Sequence, residues 1–447
     1  MKNLLPLLLP LGLLAQGGGA QLHEGREALP LSLKKAVELA LAPEGNTRLQ
    51  LAREAIRQAR AREAEARSAL LPQVSGAVSE ESMTQNLAAR GIRFSLPVPG
   101  FSIPAFVGPF TVIDARASVT QTVFDFGAVR RYQAARMAAG AVQAESESTT
   151  EQTMEQVARA YLAALHAQAV LDTARANVKL AEELKALAVS QHKAGSGTGI
   201  EVTRADVQLA NDEQRLTVAE SDLERARLRL LRVIGLNLDV KVEPTDTLGY
   251  VPMDEPTAQQ AMETAEKSRA ELKAQDRREK SAELSYSSAK CERLPVIAAF
   301  GDYGSSGAGF DTVLPTRTYG VQMRVPLFEG GRLGARRLEA LSQLRQEQIR
   351  THDLREQVRL DIGLALESLR SAEKQVKTAE AGLVLAEDEL QHARTRYKAG
   401  VSSNIEVTDA QTRVVRAREN RVSALFNHNL ARIDLTAAMG TVERIVR

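Results

Sequence analysis

Two carboxylates near the end of the chain, Glu406 and Asp409, lie three residues apart, which places both on one face of a helix. Alone they are solvated helix charges close to a helix N-terminus, where the dipole favours them. Crowded against copies of themselves they would raise one another's pKa and attract cations. Catalytic chemistry has little else to stand on. The six histidines, His23, His166, His192, His352, His392 and His428, form no i,i+4 pair and no His-Glu-x-x-His motif. Most other carboxylates alternate with Arg and Lys, the pattern of a solvated helix surface. Cys291 stands just before a strand-like segment with no base partner. As the single cysteine it excludes an intrachain disulfide and any multi-cysteine metal site. The run Gly195-Ser196-Gly197-Thr198-Gly199 has the glycines of a phosphate loop, but it follows a helix and lacks the Gly-Lys-Ser/Thr ending. No enzyme, cofactor or metal is expected.

The composition narrows the class further. Across 447 residues, 58 Lys+Arg balance 56 Asp+Glu to a formal charge of +2, and no basic block points to nucleic acid. Charged residues make up 26% and hydrophobic ones 44%, which excludes both a disordered tail and a bundle of membrane helices. Aromatics are only 4% and Trp is absent, so packing must rest on Ala, Leu and Val, as suits closely apposed helices. Residues 1–20 read as an export signal: a positive start, an apolar run over 4–14 too short to span a bilayer of about 30 Å, then small residues ending at Ala20. A mature start near Gln21 is expected, with no cysteine there for a lipid anchor. No later apolar stretch reaches membrane-helix length, leaving an exported soluble protein or one that crosses a membrane as strands.

Most of the chain is one unit written twice. Lys193-Ala194-Gly195 recurs as Lys398-Ala399-Gly400, Ile200-Glu201-Val202-Thr203 as Ile405-Glu406-Val407-Thr408, and Gly235 as Gly440, all at an offset of 205 without a gap. Upstream, Leu71-Pro72 matches Leu294-Pro295, and Val123-Phe124-Asp125 matches Leu327-Phe328-Glu329. The expected boundaries are a first repeat over 21–240, a linker over 241–256 and a second repeat over 257–447. Each repeat is expected to hold a helix, two strands and a long helical hairpin. Proline is absent from 110–243 and after 326, so residues 127–193 and 331–398 can each form a helix of about 100 Å at 1.5 Å per residue. The second follows a 3-4 apolar spacing through Val376, Ala379, Leu383, Ala386, Leu390, Ala393 and Tyr397, the mark of a left-handed coiled coil. The first keeps it through Met154, Val157, Tyr161 and Ala164, is interrupted at Gln168 and resumes at Leu171. The Lys-Ala-Gly turns end both helices, with glycine at the cap.

Segments 117–123 and 319–325 alternate with strand period, the latter with Val321, Met323 and Val325 on one face. Segments 74–80 and 296–302 are their weaker partners. Connections are expected over 82–112, where prolines cluster, and over 304–315, which is Gly- and Ser-rich. Four strands leave two open edges, and closed membrane barrels need at least eight, so several chains must contribute. Two chains would give eight strands and three would give twelve.

In order and duplication, these features resemble the TolC-like outer-membrane efflux proteins. The resemblance rests on the export signal, the Leu-Pro before each strand and the junctions Phe124-Asp125-Phe126-Gly127 and Pro326-Leu327-Phe328-Glu329-Gly330-Gly331. It rests also on the Gly-ended hairpins with Ile405-Glu406-Val407-Thr408-Asp409-Ala410. It covers about residues 30–440. The fold class it implies is mostly α with a membrane β-barrel: a homotrimeric 12-stranded barrel continued by a coiled-coil α-helical tunnel. It further implies an outer-membrane location with a periplasmic extension, and function as a passive, gated exit duct. The implied partners are a periplasmic adaptor and, through it, an inner-membrane pump. Glu406 and Asp409 would then ring the periplasmic entrance. Tyr397 would take the gate position with Glu201 as its partner, and Ser402 stands where the family has a basic gate residue. Lys193, Gly195, Lys398 and Gly400 would be adaptor-contact tips, or plain helix caps. The rival reading is a soluble periplasmic adaptor or coiled-coil scaffold. It fits less well, because an adaptor brings one helical hairpin between split β-domains and this chain brings two.

Overall fold

Cap residues and prolines cut the chain into elements that run twice through the same order. The computed structural model describes residues 29–42, 45–89, 91, 105–195 and 197–446; the expected export signal lies outside them. The first series is β1 (Leu29–Leu31), α1 (Leu33–Leu41), α2 (Thr47–Ser68), β2 (Gln73–Asn86), β3 (Phe106–Phe124), α3 (Phe126–Lys193) and α4 (Gly199–Ile234). The second is β4 (Val242–Pro244), α5 (Ala258–Ser268), α6 (Ala270–Cys291), β5 (Val296–Gly307), β6 (Leu314–Arg324), α7 (Arg332–Lys398) and α8 (Asn404–Ala438), closed by the single turn α9 (Glu443–Val446). The long helices α3 and α7 hold 68 and 67 residues. No helix among the described residues is long and apolar enough to cross a membrane.

Three details depart from the sequence expectation. The single helix expected before each strand pair is broken in two. Ser32 caps α1 and Asn46 caps α2 through side-chain bonds to backbone N–H groups, while Arg269 leaves helical geometry between α5 and α6. The connection expected over 82–112 is shorter, because β2 runs on to Asn86 and β3 begins at Phe106. Pro109 is tolerated inside β3 because it falls in the register shift between Met83 and Gln85, outside the stretch of β3 that pairs with β5. The connection over 304–315 likewise shrinks, since β5 reaches Gly307 and β6 starts at Leu314.

The four long strands form one antiparallel sheet in the order β2-β3-β5-β6, so β3 and β5 join the two repeats. The register gives the sheet two unlike faces. Val74, Val78, Val119, Ile297, Val321 and Met323 share one face; Ser75, Ser118, Thr120, Asp302 and Thr318 share the other. The apolar face is bare at its margins, with Val78 79% and Tyr319 82% exposed. Within the chain β2 and β6 are each paired on one side only.

Below the sheet the helices stand side by side. Next to the strands the order is α2, α3, α6, α7; further away it is α4, α3, α8, α7. The expected seam residues Val376, Ala386, Leu390, Ala393 and Tyr397 are buried. In α3 the polar interruption is accounted for: Gln168 stays half-buried and donates to Asp172, while Ala167 and Leu171 carry the packing. At mid-height β1 pairs in parallel with β4, tying the start of the first repeat to the segment that joins the two. There Tyr161, which sequence spacing offers only as an apolar layer, places its buried hydroxyl 2.9 Å from the Leu31 carbonyl and 2.6 Å from the Asp246 carboxylate. Burial and the Asp246 carboxylate push that phenol far above its ordinary value.

The return helices α4 and α8 end at the matched glycines Gly235 and Gly440, both at positive φ (87° and 66°) and both against the break between the two shorter helices of their repeat. A Cβ at Gly235 would collide with the Gly45 carbonyl oxygen. Gly235→Ala is therefore expected to destabilise the protein by more than about 1 kcal/mol, read as a lower unfolding midpoint by circular dichroism in detergent. A pH effect follows from Glu151 on α3, whose carboxyl is pushed up to about 7, first by burial and then by the Glu271 carboxylate. Its folded pKa lies above the unfolded value, so folding favours the protonated form. Stability is then expected to fall as pH rises from the ordinary carboxylate range to just above 7, and to stay level beyond it. Glu151→Gln should flatten that slope in thermal melts across pH.

Candidate gate and conduit lining

The two helical hairpins turn at one end of the molecule. Gly195 and Gly400 take φ of 75° and 71° just after the cap residues Ala194 and Ala399, which lets each chain reverse. Lys193, Gly195, Lys398 and Gly400 are all exposed at this tip. Thr198 and Glu201 form a capping box at the start of α4, with Glu201 Oε2 accepting the Thr198 N–H at 3.0 Å.

Tyr397 and Glu201 come together at the tip. Tyr397 is 4% exposed with a buried hydroxyl, while Glu201 Oε2 accepts the Thr198 N–H of its own cap. Burial, and then the neighbouring Glu201 carboxylate, push the Tyr397 phenol up. The ties between the hairpins run through other groups. Gln191 donates to the Tyr397 carbonyl at 3.1 Å, Asn404 donates to the Glu201 carbonyl at 3.2 Å, and Arg394 meets Glu183 at 3.0 Å.

Glu406 and Asp409 sit in the first turns of α8 with different surroundings. Glu406 is half-buried and pairs with Arg396 at 3.1 Å, whereas Asp409 is exposed and makes no ion pair among the described residues. Ser402, at the position where a basic residue was sought, has a buried hydroxyl with no partner. The cation that pairs with Glu406 is Arg396, which sequence reading passed over. Its signal was its place next to Tyr397, one helical turn before the cap.

Sequence reading also missed a charged group on the polar face of the sheet. Arg116 on β3 reaches Asp114 on its own strand and Asp302 on β5, each at 2.7 Å. Arg116 stands opposite Gly304 in the register, and a Cβ there would collide with the Arg116 side chain and the Ala115 carbonyl. Glycine is thus what lets β5 lie this close to β3 at Arg116. Asp114 and Arg116, two apart, carried a period-two signal. The signal is lost in the sequence because the strand period is read only from Ala117 and 82–112 reads as a connection, which leaves both residues between the two.

Comparison with known proteins accounts for this arrangement. A family model described as outer membrane efflux protein matches residues 39–236 and 261–441. The chain is 24% identical over 424 residues to outer membrane efflux protein BepC of Brucella suis, covering 93% of this chain and 87% of that protein. It is 23% identical over 291 residues to the pyoverdine export outer membrane protein OpmQ of Pseudomonas putida, spanning 61% of that protein's length and 64% of this chain. Its fold matches the CmeC outer membrane channel of Campylobacter jejuni with a TM-score of 0.79 at 17% identity, over 92% of this chain and 85% of that one. These relatives are named for export, efflux or channels rather than for catalysis. With both repeats matched in register, the chain belongs to the outer membrane efflux protein family.

Proposed function

We propose that three copies of this chain close head to tail into a passive exit duct in the outer membrane, with a twelve-stranded barrel above and a helical tunnel below. The observation that carries this reading is that every unpaired edge has its complement on the opposite flank. The β2 edge, α2 and α4 lie on one flank; the β6 edge and α7 lie on the other. Ile200, Val207 and Val218 on α4 and Leu338, Ile349, Leu360, Val384 and Leu385 on α7 are exposed in the single chain. β2 and β6 run in opposite directions, so β6 of one copy can continue the antiparallel sheet at β2 of the next. Such a contact is heterologous and makes a ring when the rotation closes. The apolar face then meets lipid, and the Asp114–Arg116–Asp302 group faces the conduit. The repeats over 21–240 and 257–447, joined through 241–256, alternate around the ring as six similar units.

At the tip, Glu406 and Asp409 form two carboxylate rings at the entrance. The ties from Gln191, Asn404 and Arg394 hold the two hairpins together in the closed state, with Tyr397 and Glu201 packed beneath them. The exposed turns at Lys193, Gly195, Lys398 and Gly400 are where a periplasmic adaptor docks, and the adaptor brings an inner-membrane pump that drives cargo through the duct. No bond chemistry is involved.

The test is conductance across a planar lipid bilayer. The purified protein should form discrete channels blocked by a trivalent cation added from the tunnel side. Asp409→Ala should weaken the block at least about tenfold, and more than Glu406→Ala does, because Arg396 already offsets Glu406. Arg396→Ala should strengthen it. Absence of channels would contradict the duct. Unchanged block in the Glu406→Ala, Asp409→Ala double variant would contradict the entrance assignment alone.

A further inference from the structure

The duplication offers an internal comparison of two grooves. Among α3, α4 and α8 lies a cleft of about 850 Å³, walled by Val170, Ala174, Val218 and Val422. Its sister, between α7 and α8, has about 860 Å³. Most lining positions correspond at the offset of 205: Ala174 with Ala379, Asn177 with Gly382, Ala219 with Ala424. The two differ in charge. The first carries Asp212, Asp222 and Glu419 against Arg215; the second carries Lys374, Arg413 and Arg416 against Glu389.

Asp212 is the unusual member. It continues the 3-4 series of Leu216, Ala219 and Leu223 on α4, a position where packing against α3 calls for an apolar side chain. It is nonetheless a carboxylate, 1% exposed. Oδ2 accepts from Gln208 at 3.0 Å, while Oδ1 has no hydrogen bond and the Arg215 guanidinium stands 3.5 Å away with its side chain 55% exposed. Burial pushes this carboxyl up, so the site favours whatever brings it a positive charge. The residues at the equivalent positions are Ala417 and Asn420, so the second repeat packs without either charge.

We propose that the cleft among α3, α4 and α8 is a binding site for a small organic cation, an ammonium or guanidinium on a short apolar chain, with the Asp212 carboxylate as its counter-ion. The apolar wall takes the chain, and the cation displaces Arg215 from Oδ1. The volume lies in the range of small-molecule sites, about 300–1,000 Å³. All of the lining comes from one chain, although Val218 also belongs to the α4 flank that the proposed ring brings against α7 of the next copy. The sister groove, with its opposite charge, does not take this ligand.

The test is calorimetric titration of the detergent-solubilised full chain with hexylguanidinium, and with hexanoate and hexanol as controls. The wild type should bind hexylguanidinium saturably at one site per chain, and hexanoate should not displace it. Asp212→Ala, which copies the residue of the second repeat, should lower affinity at least about tenfold. Asp212→Asn, which keeps the shape, should do the same. Arg215→Asn, again the sister residue, should tighten binding by removing the internal competitor. Equal affinity in wild type and the Asp212 variants, equal binding of hexanol, or no saturable binding to the wild type would overturn the assignment.

Discussion

The constraint on which the rest depends is that no backbone hydrogen-bonding group can stand unpaired in hydrocarbon, where each costs several kcal/mol. A four-stranded sheet with β2 and β6 open violates it alone. The same sheet leaves its apolar face uncovered, with Val78 79% and Tyr319 82% exposed, so it can serve neither as a soluble core layer nor as an isolated membrane element. The proposed closure with other copies would satisfy the edges and assign the faces together. The helical flanks obey the same geometry, because α2 leads into β2 on one side and β6 leads into α7 on the other.

The duplication makes this closure economical. Each copy contributes two strand pairs and two helical hairpins, and the parallel pairing of β1 with β4 fixes the halves to each other at mid-height. Tyr161 secures that level by reaching from α3 both to β1 and to the segment beyond β4. Above and below it the long helices need only follow their 3-4 seams. Divergence between the halves is then free to appear where packing does not forbid it. It appears in the glycines that cap the turns least, and in the charges that line the grooves most.

Much of this architecture was legible in the sequence because it is written periodically. The offset of 205, the proline-free stretches and the Gly-ended turns fix the repeat, the helix lengths and the reversals. Strand limits were less legible. The register shift at Met83 and Gln85 admits Pro109 into β3, so a residue that normally signals a loop signalled nothing there. The Asp114–Arg116–Asp302 group was hidden by the same misplacement and by a separation of 186 residues between Arg116 and Asp302. Arg396 and Asp212 were hidden for a different reason. Arg396 stands between Arg394 and Lys398, where the sequence does not mark which cation reaches Glu406, and Asp212 stands beside Glu213 and Arg215, where only the packing of α4 on α3 decides which charge is buried. Glu406, Asp409, Tyr397 and Glu201 were found through the resemblance and lie at one end of the molecule, with the bonds between the hairpins made by neighbours instead.

The central claim is the head-to-tail closure of three chains, and native mass spectrometry of the detergent-extracted protein tests it most directly. The account predicts the mass of three chains, dependent on detergent for solubility and free of larger open-ended series. A water-soluble single chain that needs no detergent would contradict it, since the β2 and β6 edges would then have no neighbouring copy to pair with.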